Sequence, residues 1–406
     1  MRNRNHSRHV AGLATAALLT LAVMGGCSGE SETQLVASAK ALLAKNDEKG
    51  AVIQLKTALQ KNPGSGEARF LLGKTLLAQG DPVAAQVELV KARESGVPDD
   101  RFVPELARAL LLQGDTVKLL AQFGDTRLTD PQAAADLQTT LAAAHAARNQ
   151  IEQADAAATE ALRLVPGYVP AMLMKARLEA GAGDVDVALR RLDSVLAGAP
   201  TEARAGVLKG QILWRSKGDG KAALEVFRSV IEKSPGAVAA HVGALDILFR
   251  EGRMDEARSG VDALKKVAPD NPETVFYQAQ VAFADKDYKA VREFTDRLLK
   301  FAPENVRVLE LAGAAEFRMQ QYGQADVLLS KALKNAPQQL LTRQLLAQTH
   351  LRAGQPGKTI EALRPVLDSS AADGASLALA GEAWLQMGDH ARSDEAFKRA
   401  LKAAPN

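Results

Sequence analysis

The stretch LLAQGD at residues 76–81 returns as LLLQGD at 110–115 and as WLQMGD at 384–389. Its glycine keeps a fixed step: Gly80 to Gly114 is 34 residues, and Gly354 to Gly388 is 34 again. Extended along the chain, the column reads Asn46, Gly80, Gly114, Asn149, Gly183, Gly218, Gly252, Lys286, Gln320, Gly354, Gly388. Every step is 34 residues except two of 35, Gly114 to Asn149 and Gly183 to Gly218. Nine of these eleven residues are Gly or Asn, the types that best tolerate positive φ. That is the chemistry of a helix ending in a left-handed cap. Gly80, Gly114, Gly183, Gly218, Gly252, Gly354 and Gly388 are therefore predicted to be structural caps. Asp follows the column at Asp47, Asp81, Asp115, Asp184, Asp219 and Asp389, placed to cap the amino terminus of the next helix.

A second column is proline: Pro63, Pro166, Pro200, Pro235, Pro269, Pro303, Pro337 and Pro405. Each stands just past an apolar helical stretch and stops it. Between glycine and proline runs a small–large–small pattern, as in Ala51-Leu55-Ala58, Ala85-Leu89-Ala92, Ala223-Phe227-Val230 and Ala325-Leu329-Ala332. Spacings of four and three put these residues on one helical face. Before each glycine, an earlier pair ends in a small residue: Leu72-Gly73, Leu106-Ala107, Lys175-Ala176, Ala312-Gly313, Leu346-Ala347, Ala380-Gly381.

Together these columns resemble the tetratricopeptide repeat: Leu-Gly in a first helix, Ala-x-x-x-Phe in a second, and an exit proline. The resemblance implies an all-α superhelical solenoid of about eleven 34-residue helical hairpins, with the first helices lining its concave side. Each hairpin cannot bury its apolar face alone, so stability comes from stacking on its neighbours. The third unit is degenerate after its glycine (QFGDTRLTDP, residues 122–131), and the tenth lacks an exit proline. Irregular packing is expected at both places.

Composition agrees with helices. Of 406 residues, 47% are apolar but only 4% aromatic, and Ala and Leu lose little freedom on entering a helix. Residues 1–26 carry Arg2, Arg4 and Arg8 and no acid; without them the chain has 48 basic and 48 acidic residues. That balance gives no general attraction to a phosphate backbone, so nucleic acid is not an expected partner.

The amino terminus reads as an address. MRNRNHSRHV is basic, and residues 10–23 (VAGLATAALLTLAV) form an uncharged apolar run. Fourteen residues fall short of the roughly 20 that a bilayer-spanning helix needs, but suit a signal peptide. Met24-Gly25-Gly26-Cys27 follows and resembles the lipobox of bacterial lipoproteins. The resemblance implies lipidation of Cys27, and Ser28 after it implies the outer membrane. Cys27 is the single cysteine, so no intramolecular disulfide can form. The expected division is 1–26 signal peptide, 27–34 polar lipidated tether and 35–406 repeat array.

The stretch AKALLAKNDEKGAVIQLKTALQKNPGSGEARFLLGKTLLAQGDPVAAQVELVKARESGV (residues 39–97), together with the lipobox, resembles the tetratricopeptide-repeat lipoprotein of the exosortase/PEP-CTERM system of Gram-negative bacteria. That resemblance implies a lipid-anchored protein facing the periplasm, working with envelope proteins in exopolysaccharide export or PEP-CTERM sorting. A carbohydrate-binding superhelix guiding an exopolysaccharide, and the non-catalytic part of a longer envelope enzyme, stay open as alternatives.

Catalytic motifs are not evident. His145, His241, His350 and His390 fall in different repeats without metal-ligand spacing, and they read as surface or groove residues. No phosphate-binding glycine loop or nucleophile elbow occurs. The expectation is a non-enzymatic scaffold with no metal and no cofactor. Candidate groove contacts are Lys74, Arg108, Arg215, Phe249, Phe317, Arg318, Arg352 and Trp384. They suggest a basic, partly aromatic channel for an acidic peptide or anionic glycan. The competing reading is a solvated face balanced by Asp246, Glu310 and Glu382, with Trp384 a packing residue.

Overall fold

The computed structural model describes residues 30–368 and 372–403, so the expected signal peptide and the expected lipidation at Cys27 lie outside the described residues. Among the described residues there are twenty-two helices and no strand. They divide into two compact units, Met1–Val195 and Leu196–Asn406. The first unit holds hairpins α1 (Glu32–Ala44) and α2 (Glu48–Lys61), α3 (Gly66–Ala78) and α4 (Pro82–Glu94), α5 (Asp99–Leu112) and α6 (Thr116–Phe123). Then come α7 (Pro131–Ala147) with α8 (Ile151–Leu164), and α9 (Val169–Ala182) with α10 (Val185–Gly198), whose last turn crosses the unit boundary. The second unit holds α11 (Ala203–Arg215) and α12 (Gly220–Lys233), α13 (Val238–Arg250) and α14 (Met254–Val267), α15 (Pro272–Ala284) and α16 (Tyr288–Phe301). It continues with α17 (Val306–Arg318) and α18 (Tyr322–Asn335), α19 (Leu340–Arg352) and α20 (Pro356–Leu367), α21 (Gly374–Gln386) and α22 (His390–Ala403). Within each unit the hairpins stack in chain order.

The turn inside each hairpin is set by the glycine column. All eleven residues have positive φ, from 58° at Asn149 to 95° at Gly183, and they include Lys286 at 64° and Gln320 at 61°. At Gly80 the backbone N–H bonds to Leu77 O at 3.1 Å, and that of Asp81 to Leu76 O at 2.9 Å. These are the two bonds of a Schellman cap. The same pair recurs at every position of the column except Gly218, where Asp219 N–H reaches back to Leu213 O instead. Ser216 and Lys217 lengthen that turn by one residue, which accounts for the second 35-residue step. The first 35-residue step coincides with the degenerate third unit: α6 has 8 residues and α7 has 17.

Asp47, Asp81, Asp115, Asp219 and Asp389 each accept the backbone N–H three residues on, at 2.9–3.2 Å. Asp287, which follows Lys286, caps α16 in the same way at 3.1 Å. The exits of the second helices follow from proline chemistry. Asn62, Val165, Ser234, Ala268, Ala302 and Ala336 each precede a proline, and all have φ between −131° and −147°. Proline drives the residue before it out of the α region. Helix α4 has no such proline, and Gly96 at φ 81° ends it with a second left-handed cap.

Helix α1 starts at Glu32, inside the expected polar tether of residues 27–34. The cause is a capping box: Ser31 Oγ accepts Gln34 N–H at 3.2 Å, and Gln34 Oε1 accepts Ser31 N–H at 2.7 Å.

Packing uses the small–large–small pattern. Ala85, Leu89 and Ala92 are fully buried, as are Ala51, Leu55 and Ala58. A β-carbon at Gly73 would stand 2.7 Å from Leu89 Cγ, and one at Gly313 would stand 2.6 Å from Leu329 Cγ. Glycine there lets the two helices of a hairpin approach, and the burial of each such leucine contributes about 1.5–3 kcal/mol. Four residues before the cap lies a position that usually faces this core, as Leu110 and Leu248 do. Polar residues placed there require partners. Glu316, 5% exposed, receives a fork from Arg292 with both N–O distances 2.6 Å. Glu179 receives one from Arg191 on α10.

His350 occupies the same position, 6% exposed, with Asp326 of α18 at 3.7 Å. His241 is also buried and bonds through Nε2 to Pro235 O at 2.9 Å. These two histidines are therefore interior residues and not surface ones. Burial holds His350 below its usual 6.5, against Asp326 and Glu361, which pull upward, and with Lys358 of α20, which pushes down.

Two tests follow from the caps and from this histidine. Gly80→Val should lose about 2 kcal/mol in urea unfolding, because left-handed backbone costs an L-residue about 1–2 kcal/mol and a β-branched one more. Lys286→Gly should lose nothing, since it relieves that cost. For His350, a folded pKa below the unfolded one means that the unfolded chain binds the extra proton. Stability is full above pH 6.5 and is lost as pH falls from there through the folded value. The urea midpoint of the wild type should drop between pH 7.5 and 5.5 more than that of His350→Gln.

Candidate functional site

The first helices of successive hairpins sit side by side within each unit and share recurrent exposed positions. In the first unit, the position six residues before the cap carries Lys40, Lys74, Arg108, Ala143 and Arg177. The side chains of Lys40, Lys74 and Arg108 are 53%, 50% and 48% exposed. Carboxylates tie them together across helices. Glu67 of α3 receives Lys40 of α1 at 2.6 Å and Arg101 of α5 at 2.8 Å. Burial raises the Glu67 pKa, but the hydrogen bonds from Arg101 and Lys40 outweigh it and hold the carboxyl below the usual range. Glu105 bridges Lys74 at 3.5 Å and Arg108 at 3.3 Å. The Arg101 guanidinium lies 4.3 Å from the Phe70 ring centre, with Lys74 on the same ring at 5.8 Å. Farther along, Tyr168 donates to Asp136, and burial followed by that carboxylate raises its pKa. Along these columns the five cations Lys40, Lys74, Arg101, Arg108 and Arg177 stand with the three carboxylates Glu67, Glu105 and Asp136, an excess of positive charge.

The corresponding position in the second unit reads Gln211, Asp246, Gln280, Ala314, Gln348 and Glu382. Cations are absent from it, and the chemistry differs. Tyr277 of α15, fully buried, donates to Asp246 of α13 at 2.7 Å. Burial first, and then Asp246, raise its pKa. Phe249 stacks on Tyr277 at 5.8 Å with the rings 19° apart. Arg307 of α17 lies over Phe276 at 4.3 Å and approaches Asp246 at 3.7 Å and Glu273 at 3.6 Å. Next along, Thr342 donates to Glu310, and Gln344 donates to Asp373 at 2.8 Å.

Within each unit the candidate groove contacts have different surroundings. Lys74 and Arg108 come together through Glu105. Arg318 and Arg352 occupy equivalent exposed ends of α17 and α19, and Arg215 is exposed at the end of α11. Phe249 belongs to the Tyr277 cluster. Phe317 instead packs on Tyr322 of its own hairpin at 5.8 Å and on the Leu329 core. Trp384 lies on the core around Ala347, Leu363 and Ala380, in keeping with the packing reading. The position four residues before the cap faces the second helix, whereas positions six, three and two before it share another face. Nothing in the sequence marks Tyr277, Glu273 and Arg307 as a group, because Tyr277 meets Asp246 and Arg307 from about 30 residues away.

Among the described residues no helix is long and apolar enough to cross a membrane, and no cluster of three or more metal-ligating side chains occurs.

Two tetratricopeptide-repeat family models match the chain, one at residues 42–103 and 215–275, the other at 173–237 and 345–406. No curated protein matches it. Solved structures similar to it include a chain of the APC/C hetero-tetramer Cut9–Hcn1, at 13% identity and TM-score 0.47, covering 93% of this chain and 94% of that one. A tetratricopeptide repeat protein from Parabacteroides merdae is 16% identical with TM-score 0.45, covering 57% and 92%. Yeast Tom70 is 16% identical with TM-score 0.41, covering 93% and 91%. Eleven capped hairpins in one phase, matched by these repeat models in both units, make the chain a tetratricopeptide repeat protein.

Proposed function

We propose that the chain is a protein-binding scaffold whose first unit receives an acidic segment of a partner. The observation that carries this reading is the column Lys40, Lys74 and Arg108: three half-exposed cations at one position of three successive hairpins. Glu67 and Glu105 hold them in place and leave the face positive. Preplaced charge of one sign speeds encounter with the opposite sign and excludes like-charged partners. The buried Phe70 ring lies beneath Arg101 and Lys74 and helps to hold them in place.

The setting we propose is the periplasmic side of a bacterial outer membrane, with a lipid on Cys27 as the anchor. The support is the run of residues 10–27: a short apolar stretch, two glycines and the single cysteine. Work with exopolysaccharide export or PEP-CTERM sorting follows from the resemblance of residues 39–97 and is part of the same proposal.

Binding of a fluorescent glutamate-rich peptide to the full chain, followed by anisotropy, tests the face. Lys74→Glu with Arg108→Glu should weaken it about ten-fold at low salt, with the difference shrinking as salt screens exposed charges. Equal affinity for both proteins contradicts the reading, and calorimetric heat from an anionic polysaccharide but not from the peptide transfers it to a glycan. For the anchor, Cys27→Ala should move the protein out of the outer-membrane fraction; a variant that stays there removes the lipid from the account.

A further inference from the structure

The second helices of the first three hairpins carry an outer row that their core does not use. Seven residues after the cap stand Ile53 on α2, Val87 on α4 and Ala121 on α6. Three after it stand Val83 on α4 and Val117 on α6. Ile53, Val83, Val87 and Val117 are 64%, 62%, 48% and 62% exposed, while Leu55, Leu89 and Leu119 of the same helices are fully buried. A spacing of four puts Val83 and Val87 on one side of α4, and the shared phase gives α2 and α6 the same outward row. Apolar residues scattered singly are ordinary on a surface. A row repeated over three successive hairpins marks an interaction surface.

The row is confined to this end of the chain. From the fifth hairpin on, the position seven after the cap carries Arg190, Glu225, Glu293, Glu361 and Glu395, with Ser259 and Val327 between them. Val327 has Gly323 in place of a second valine one turn before it.

These three helices are also basic. They hold six cations, Lys49, Lys56, Lys61, Lys91, Arg93 and Lys118, against Glu48, Glu88 and Glu94. Glu88 is turned inward to Arg69 at 2.5 Å. Protein interfaces are depleted of Lys and enriched in aromatic residues and Arg, whereas this row is built of Ile, Val and Lys. Exposed aliphatic side chains interleaved with lysines suit an anionic bilayer surface instead. The aliphatic groups enter the headgroup boundary, and the ammonium groups stay level with the phosphates.

The path of the chain points the same way. Lys61 Nζ donates to Glu30 O, so residue 30 lies beside the last turn of α2. Cys27 is three residues earlier, a reach of at most about 11 Å. A lipid there brings the bilayer within that distance of α2, and Ile53 is about 12 Å farther along the helix axis. We propose that the outer face of α2, α4 and α6 lies on the bilayer surface. The proposal rests on the reading of Cys27 as the anchor. It uses residues apart from Lys40, Lys74 and Arg108, which belong to the first helices and remain available to a partner.

The test places the full chain, purified from membranes, on vesicles of phosphatidylethanolamine and phosphatidylglycerol whose acyl chains are brominated to quench nearby tryptophan. Val87→Trp is compared with Glu225→Trp, the same position on α12, and Trp214 and Trp384 set the background. The added emission of Val87→Trp should fall about two-fold relative to unbrominated vesicles, and that of Glu225→Trp should not change. Ile53→Glu with Val83→Glu, both at exposed positions, should abolish that fall while the protein stays on the vesicles. No fall for Val87→Trp on vesicle-bound protein, or an equal fall in both variants, overturns the proposal. A dimer in solution that Val87→Glu dissociates, with no fall on vesicles, assigns the face to a second copy and also overturns it. Cys27→Ala reports the anchor separately. Protein that leaves the vesicles agrees with the lipid; protein that stays, with the fall at Val87→Trp intact, removes the lipid and supports the face.

Discussion

One residue per repeat, held at positive φ, is the constraint on which the rest depends. With that residue left-handed, the last carbonyls of the first helix are satisfied by the next two N–H groups, and the chain reverses within three residues. The second helix then starts at a fixed angle to the first, and its small face meets the small residue of its partner. If the turn were looser, Leu89 would not meet Gly73, nor Leu329 meet Gly313. The cap therefore acts upstream of packing. It is strong enough to impose its geometry on Lys286 and Gln320, which gain nothing from it as isolated residues.

Because each hairpin is fixed by its cap, its neighbours and a few small residues, the exposed positions of the first helix are free to vary. They do so by unit. Six residues before the cap, the first unit places Lys40, Lys74 and Arg108, while the second places Asp246, Gln280, Gln348 and Glu382. The same scaffold thus presents charge in one unit and a mixed donor–acceptor surface with aromatic rings in the other. Positions facing inward vary more expensively: replacing leucine by Glu179 or Glu316 requires Arg191 or Arg292 to close a fork on it.

How much could be read from the sequence depended on the range of the interaction. The glycine and proline columns, the Asp caps and the two one-residue insertions are local and periodic, and these were legible. At residues 31–34 the helix start is hard to read because Ser31-x-x-Gln34 is a capping signal inside a polar run. Asp287 went unread because the residue before it, Lys286, breaks the glycine pattern. The burial of His241 and His350 depends on a neighbouring carbonyl or helix, which a periodicity cannot show. Phe249, Tyr277 and Arg307 come from three hairpins, and each is an ordinary residue in its own segment. Only the stacking of α13, α15 and α17 makes them a cluster.

The repeat phase depends most on the caps at residues whose own preference opposes them, Lys286 and Gln320. Backbone φ at Lys286 and Gln320, taken from NMR couplings and chemical shifts of the protein in solution, tests it most directly. Values near +60° at both residues, with Asn46 and Asn149 alike, are the expected result. Right-handed values near −60° at Lys286 and Gln320 would mean that these helices run on through the turn. The eleven-hairpin phase, and every face assigned from it, would then be wrong.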